Sequence, residues 1–268
     1  MISSFLHKIK LWFDLKSKRT GLTPQPQDDR DYIYKPSRSG VGQSFVDLRH
    51  EMPPVNNQGN HQSCTAFAIG AVVQHWLKKN GIKQEKLDFS EAYQWYWHRY
   101  MEGKHNENSG VFLRDGFKVM NKWGVCRQRL FPNTKPFNEK PSETEISWGL
   151  LFWNIMSALG GNMEYKRVYK SQVINCLDEG LPVVFGIRLD RNFVQLDKTD
   201  YYWEDNSDGF YGYHAMVIVG YEERLDGLYY LVRNSWGTRH GNNGYLYMKK
   251  EMFDKSFPNG GFDLWTVE

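Results

Sequence analysis

Cysteine is scarce in this chain: three in 268 residues, at Cys64, Cys126 and Cys176. Three thiols cannot all pair, so at most one bridge is available, and nothing in the sequence demands it. So few cysteines fit a reducing compartment. No cysteine pairs stand at zinc-ligand spacing, and no glycine-rich loop is built to cradle phosphate. No segment repeats. No apolar run is long enough to span a membrane. Charge of one sign is also in short supply: a formal net charge of +3 is too small to mark a nucleic-acid-binding protein. What remains is a chain with 40% hydrophobic residues. That length and composition build one large domain, or two lobes, with a substantial core.

The first twenty residues read as a basic amphipathic helix. Ile2, Phe5, Leu6, Ile9, Trp12 and Phe13 fall on one side, and five basic residues against Asp14 give a net +4 (5 − 1). Three readings stand for it: packing on the protein's own surface, docking on an acidic membrane surface or a partner protein, or a weak signal peptide. Lysines interrupt the continuous apolar middle that a secretory signal needs, so a cytoplasmic location is favoured over export or delivery into a host. Residues 20–44 are rich in glycine, proline, serine and aspartate and read as extended chain.

Chemistry concentrates around Cys64. It stands where the polar stretch VNNQGNHQS gives way to an apolar run, and Ala66, Phe67, Ile69, Gly70, Val73 and Leu77 recur at helical spacing. A helix therefore starts near Cys64, with Ser63 as its cap and Asn80-Gly81 as its stop. The positive end of a helix dipole favours the thiolate, the nucleophilic form. Alone, such a cysteine is more often a small buried apolar residue. Two distant stretches change that. His214 lies in YGYHAMVIVG, 150 positions on (214 − 64), and Asn234 in LVRNSWGTRHGNNGY, 20 further (234 − 214). A cysteine, a histidine and an asparagine so ordered form a constellation of thiol catalysis, and Gln58 precedes the cysteine by six.

Those four segments resemble the papain family of cysteine peptidases, over roughly residues 45–268. SCTA at the cysteine, GLTPQPQDDRDYIY near the N-terminus and the lack of a long prosegment resemble its bacterial, short-prosegment branch, typified by xylellain. The resemblance implies an α+β, two-lobe fold: a helical lobe over about 45–160, an antiparallel β-barrel-like lobe over about 161–268, and the active-site cleft between them. It implies Cys64 as nucleophile, His214 as proton carrier, Asn234 as orienter of the imidazole, and Gln58 with the Cys64 backbone N–H as oxyanion donors. Asn108, Ser109 and Gly110 would line the substrate cleft. Tyr213, where relatives usually carry glycine, would narrow it. Trp236 would shield the His214–Asn234 hydrogen bond. Residues 20–44, otherwise a plain linker, would act as a short prosegment across or beside the cleft. The scheme requires no metal and no organic cofactor. Its partners are a peptide or protein substrate and protein inhibitors of such peptidases, and the chain is expected to be a monomer. Acyl transfer, deamidation or peptide ligation on the same site, and a binding protein on a peptidase scaffold, are the alternatives.

The residues themselves support that plan. Ser90 caps a helix over SEAYQWYWHRYM, and the spacing of Leu113, Phe117 and Met120 predicts another, ended by Gly124. Residues 131–145 read as surface loop. VVFGIRL, HAMVIVGY, LYYLVRN, NGYLYMKK and FDLWTVE read as strands, with Asp226-Gly227 as a turn and 195–213 as a loop. His61 reads as an exposed loop histidine, and Cys126 and Cys176 as inert packing residues.

Overall fold

A computed structural model describes residues 20–25, 28–37, 43–256 and 263–268. The basic stretch over 1–19 lies outside the described residues. Helix α1 (Cys64–Lys79) is buried on all sides over its first fourteen residues, from Cys64 to Leu77. A helix apolar all round is a core helix. Ser63 occupies the expected cap position, but its side chain makes no capping bond; its carbonyl instead accepts from Ala66 and Phe67. The helix stops at Asn80, whose Nδ2 donates to the Trp76 carbonyl.

Helix α2 (Glu91–Met101) starts at Ser90, which accepts from the Tyr93 N–H at 3.0 Å. Helix α3 (Leu113–Trp123) ends at Gly124, where φ is +73°. Between them lies an aromatic cluster in which Trp97 stacks on Trp123 with centroids 4.9 Å apart. Helix α4 (Glu143–Gly160) begins inside the stretch read as loop, on a capping box between Ser142 and Glu145.

Strands β1 (Phe45–Asp47), β2 (Tyr165–Arg167), β3 (Val183–Leu189), β4 (Tyr202–Trp203), β5 (Gly212–Arg224), β6 (Gly227–Arg233), β7 (Tyr245–Lys249) and β8 (Leu264–Val267) make one sheet. Its order is β2-β8-β3-β5-β6-β7-β4, with β1 added to β5. All pairs are antiparallel except β4 with β7. The sheet does not close, so the barrel-like lobe is an open sheet with edges at β2 and β4. Three short helices complete it: α5 (Val173–Asp178), α6 (Arg191–Gln195) and α7 (Lys250–Ser256). The stretch expected as a 195–213 loop therefore includes the end of α6 and strand β4. One continuous core joins α1 to β3 and β5, and it brings the N-terminus of α1 against the start of β5. All three cysteines are free thiols and buried.

Candidate active site

Cys64 opens α1, His214 is the third residue of β5, and Asn234 directly follows β6. Because β5 pairs with both β3 and β6, these distant residues converge. The Ala215 N–H donates to Cys64 Sγ at 3.3 Å, which places the thiol beside the His214 backbone. His214 Nε2 donates to Asn234 Oδ1 at 2.8 Å, and its Nδ1 makes no hydrogen bond among the described residues. The Ser235 N–H also donates to Asn234 Oδ1, at 2.8 Å. Trp236 is buried, its ring 5.1 Å from that of His214. It presents almost no surface to a ligand.

Gln58 sits 3% exposed beside this group. Its Oε1 accepts from Ser235 Oγ at 2.6 Å, and its Nε2 donates to the His61 carbonyl at 2.8 Å. The His61 carbonyl can only accept, so it identifies which end of the amide faces which way. Asn108 ties the next wall to the cysteine loop: its Oδ1 accepts from the Gln62 N–H at 3.0 Å. The Ser109 carbonyl accepts from Trp95 Nε1. His61, expected exposed, is half-buried and stacks on Trp95 with centroids 5.1 Å apart; burial and the Arg99 charge lower its pKa.

The cleft between these walls holds the chain's own residues 20–25. Leu22 forms a parallel bridge with Val111. Its N–H donates to the Tyr213 carbonyl at 3.3 Å, the Thr23 N–H to Val111 O at 3.1 Å, and the Val111 N–H to Gly21 O at 3.1 Å. The approach is so close that a Cβ on Gly110 would stand 2.8 Å from the Gly21 carbonyl carbon, so only glycine fits there. The Leu22 side chain is buried against Gly186, where a Cβ would be 2.2 Å from Leu22 Cδ2. Farther along, Gln25 Oε1 accepts from the Arg114 N–H at 2.9 Å.

This cover decides the electrostatics. Burial pushes the Cys64 thiol up to about 12, although the N–H groups of Ala215 and Gly21 pull it down. Burial likewise holds His214 down to about 4, against the pull of the Asn234 bond. Burial thus disfavours the charged form of each group.

One further polar residue belongs to this group, and no sequence pattern marks it. His240 is completely buried. Its Nδ1 is 2.9 Å from Asn234 Nδ2, and its Nε2 is 2.9 Å from the Phe193 carbonyl oxygen. A histidine in a glycine-rich turn carries no periodicity, and its partner Phe193 is 47 residues away on α6.

The family model for papain family cysteine proteases matches residues 43–256. The chain belongs to that family. It is a papain-like cysteine protease with the papain-like α+β fold. Among solved structures, xylellain, a cysteine protease from Xylella fastidiosa, superposes with a TM-score of 0.76 at 28% identity, covering 94% of this chain and 96% of that one. An uncharacterized peptidase C1-like protein of Acanthamoeba polyphaga mimivirus is 25% identical over 232 residues, 79% of this chain and 68% of that protein. Cathepsin K of Mus musculus is 22% identical over 245 residues, 88% of this chain and 69% of the cathepsin.

Proposed function

We propose that this papain-family protease is an endopeptidase acting through Cys64, His214, Asn234 and Gln58, and that its residues 20–25 hold it latent. The observation that carries the reading is the meeting of the Cys64 thiol with the start of β5, where Nε2 of His214 is committed to Asn234. That commitment leaves Nδ1 as the nitrogen that exchanges a proton with the thiol. Cys64 Sγ attacks the peptide carbonyl carbon while its proton passes to His214. The proton then goes to the leaving amine, which departs from a thioester. Water, deprotonated by His214, attacks the thioester and frees the second product. Gln58 Nε2 and the Cys64 N–H donate to the oxygen as it gains charge, and one such donor is worth about 3 kcal/mol in other enzymes.

Latency follows from what faces the thiol. The backbone N–H of Gly21 faces the Cys64 thiol, so the segment stands where a substrate would approach the nucleophile. The backbone of Gly110–Val111 and the Tyr213 carbonyl, which now hold Gly21–Thr23, would hold an extended peptide substrate or inhibitor once the segment leaves. Departure also admits water, removing the burial that disfavours charge on thiol and imidazole.

Leu22→Asp tests both halves in the full-length chain. A buried carboxylate costs several kcal/mol, so the segment is expected to leave its seat. An epoxide thiol probe and a mixed peptide library, read by mass spectrometry, should report Cys64 labelling and cleavage rising about tenfold or more over the unaltered chain. Both should vanish in Cys64→Ala, and cleavage should vanish in His214→Ala. Equal labelling with and without Leu22→Asp would sink the latency. Cleavage that survives Cys64→Ala would sink the mechanism.

A further inference from the structure

Asn234 can serve His214 in only one orientation, and two backbone groups reveal how that orientation is held. The Ser235 N–H can only donate, and it donates to Asn234 Oδ1 at 2.8 Å. The amide oxygen therefore faces Ser235 and His214, and the amide nitrogen faces His240. The Phe193 carbonyl can only accept, and it stands 2.9 Å from His240 Nε2. That nitrogen therefore carries a proton. His240 Nδ1, 2.9 Å from Asn234 Nδ2, must then be bare to accept from the amide. His240 is thus a neutral imidazole with its proton on Nε2, assigned by partners whose roles admit no exchange.

We infer that His240 is the positioning residue that fixes the amide orientation of Asn234 and, through it, the tautomer of His214. The inference rests on the catalytic reading above. Oδ1 can accept only from a protonated Nε2 of His214, whether the imidazole is neutral or charged. The bare nitrogen of the neutral ring is then always Nδ1, the one that serves the thiol. If the amide turned over, its N–H₂ would face His214 Nε2. That nitrogen would have to be bare, and the proton would sit on Nδ1, where it removes the base.

Ser235 alone opposes that turn with one hydrogen bond, and His240 adds the second. Its own place is held by the rings of Trp236 and Phe193, at 4.9 Å and 4.8 Å. Helix α6 delivers the Phe193 carbonyl, and its start is pinned by Asp190, whose Oδ1 accepts from the Phe193 N–H at 3.0 Å. A line of polar contacts so runs from α6 to the reacting pair.

Nitrogen NMR of full-length protein labelled with 15N-histidine tests this without requiring turnover. In the unaltered chain His240 and His214 should both show a protonated Nε2 and a bare Nδ1. In His240→Phe, which keeps an aromatic ring but no acceptor, the His214 signals should shift toward a mixture of tautomers. In His240→Asn, whose amide oxygen stands near the Nδ1 position, they should stay. Kinetics should follow in parallel: kcat about 10- to 100-fold lower in His240→Phe with KM within about twofold, and most of it regained in His240→Asn. A proton on Nδ1 of His240 in the unaltered chain would overturn the inference. So would a His214 tautomer that ignores His240→Phe. If instead Cys64→Ala retains cleavage, the catalytic reading falls while the nitrogen spectra still decide the orientation.

Discussion

At the scale of single residues, burial decides charge. Cys64 and His214 are the groups expected to exchange a proton, and burial disfavours the charged form of both. A carboxyl a few residues from the C-terminus obeys the same rule. Asp263 is 4% exposed, and burial pushes its pKa from 3.8 up to about 7, against the Gln25 N–H and the charges of Arg114 and Arg167. The sign follows from linkage. The unfolded carboxyl ionises near 3.8 while the folded one keeps its proton, so stability is lost as pH rises between those two values. The penalty is absent at pH 3, grows through pH 4–7 and is complete above 7. Asp263→Asn should therefore raise stability by about 2–4 kcal/mol at pH 8 and by far less at pH 3–4. Urea midpoints at the two pH values check this, and an equal effect at both would refute it.

At the scale of elements, local chemistry reports ends better than it reports presence. Ser90 and Gly124 mark real helix boundaries because a cap bond and a left-handed residue are properties of a few neighbours. Ser63 stands in the right place but makes no capping bond, because its Oγ is buried with no partner among the described residues. Helix α4 went unread although Ser142 and Glu145 form its capping box. Its apolar residues point both inward and outward, with Trp148, Leu151, Ile155 and Leu159 exposed while Trp153 and Met156 are buried. No single stripe emerges from such a pattern. Strand β4 has two residues and pairs in parallel with β7, too short to carry an alternation. Ser142→Ala should cost about 1 kcal/mol of stability through loss of the bond its Oγ accepts from the Glu145 N–H, while the Ser142 N–H keeps its bond to the Glu145 carboxylate. A shift in the urea midpoint with unchanged slope is the expected signature, and no shift would mean that tertiary packing alone holds the first turn.

At the scale of the whole molecule, the N-terminal segment clamps the two sides together. Residues 28–37 reach from α3 to β2 and α5. Asp31 accepts two bonds from Arg114 of α3 at 2.7 Å each and lies 3.8 Å from Arg167 of β2. The Tyr34 ring is wholly buried, with its hydroxyl donating to Glu179 at 2.8 Å. Both partners of the Asp31–Arg114 pair are largely buried, and losing its charge-assisted bonds costs about 2 kcal/mol. Asp31→Asn should speed hydrogen exchange over residues 28–37 and raise probe labelling of Cys64, because residues 20–25 hang from the same clamp. Faster exchange with unchanged labelling would separate the clamp from the cleft.

The sequence by itself determined the residue types of the candidate site, their order, the helix that starts at Cys64 and most strands. Those features live in side-chain chemistry and in periodicities of two and 3.6 residues, which neighbours along the chain carry. Family membership was legible for the same reason, since the motifs around Cys64, His214 and Asn234 are local. Only the tertiary structure decided that residues 20–25 lie in the cleft, that His240 meets Asn234, that the sheet stays open and that burial opposes charge on thiol and imidazole. Each of these depends on which surfaces meet across the fold and on what water they exclude. Burial is a property of the whole chain, and no window of sequence contains it.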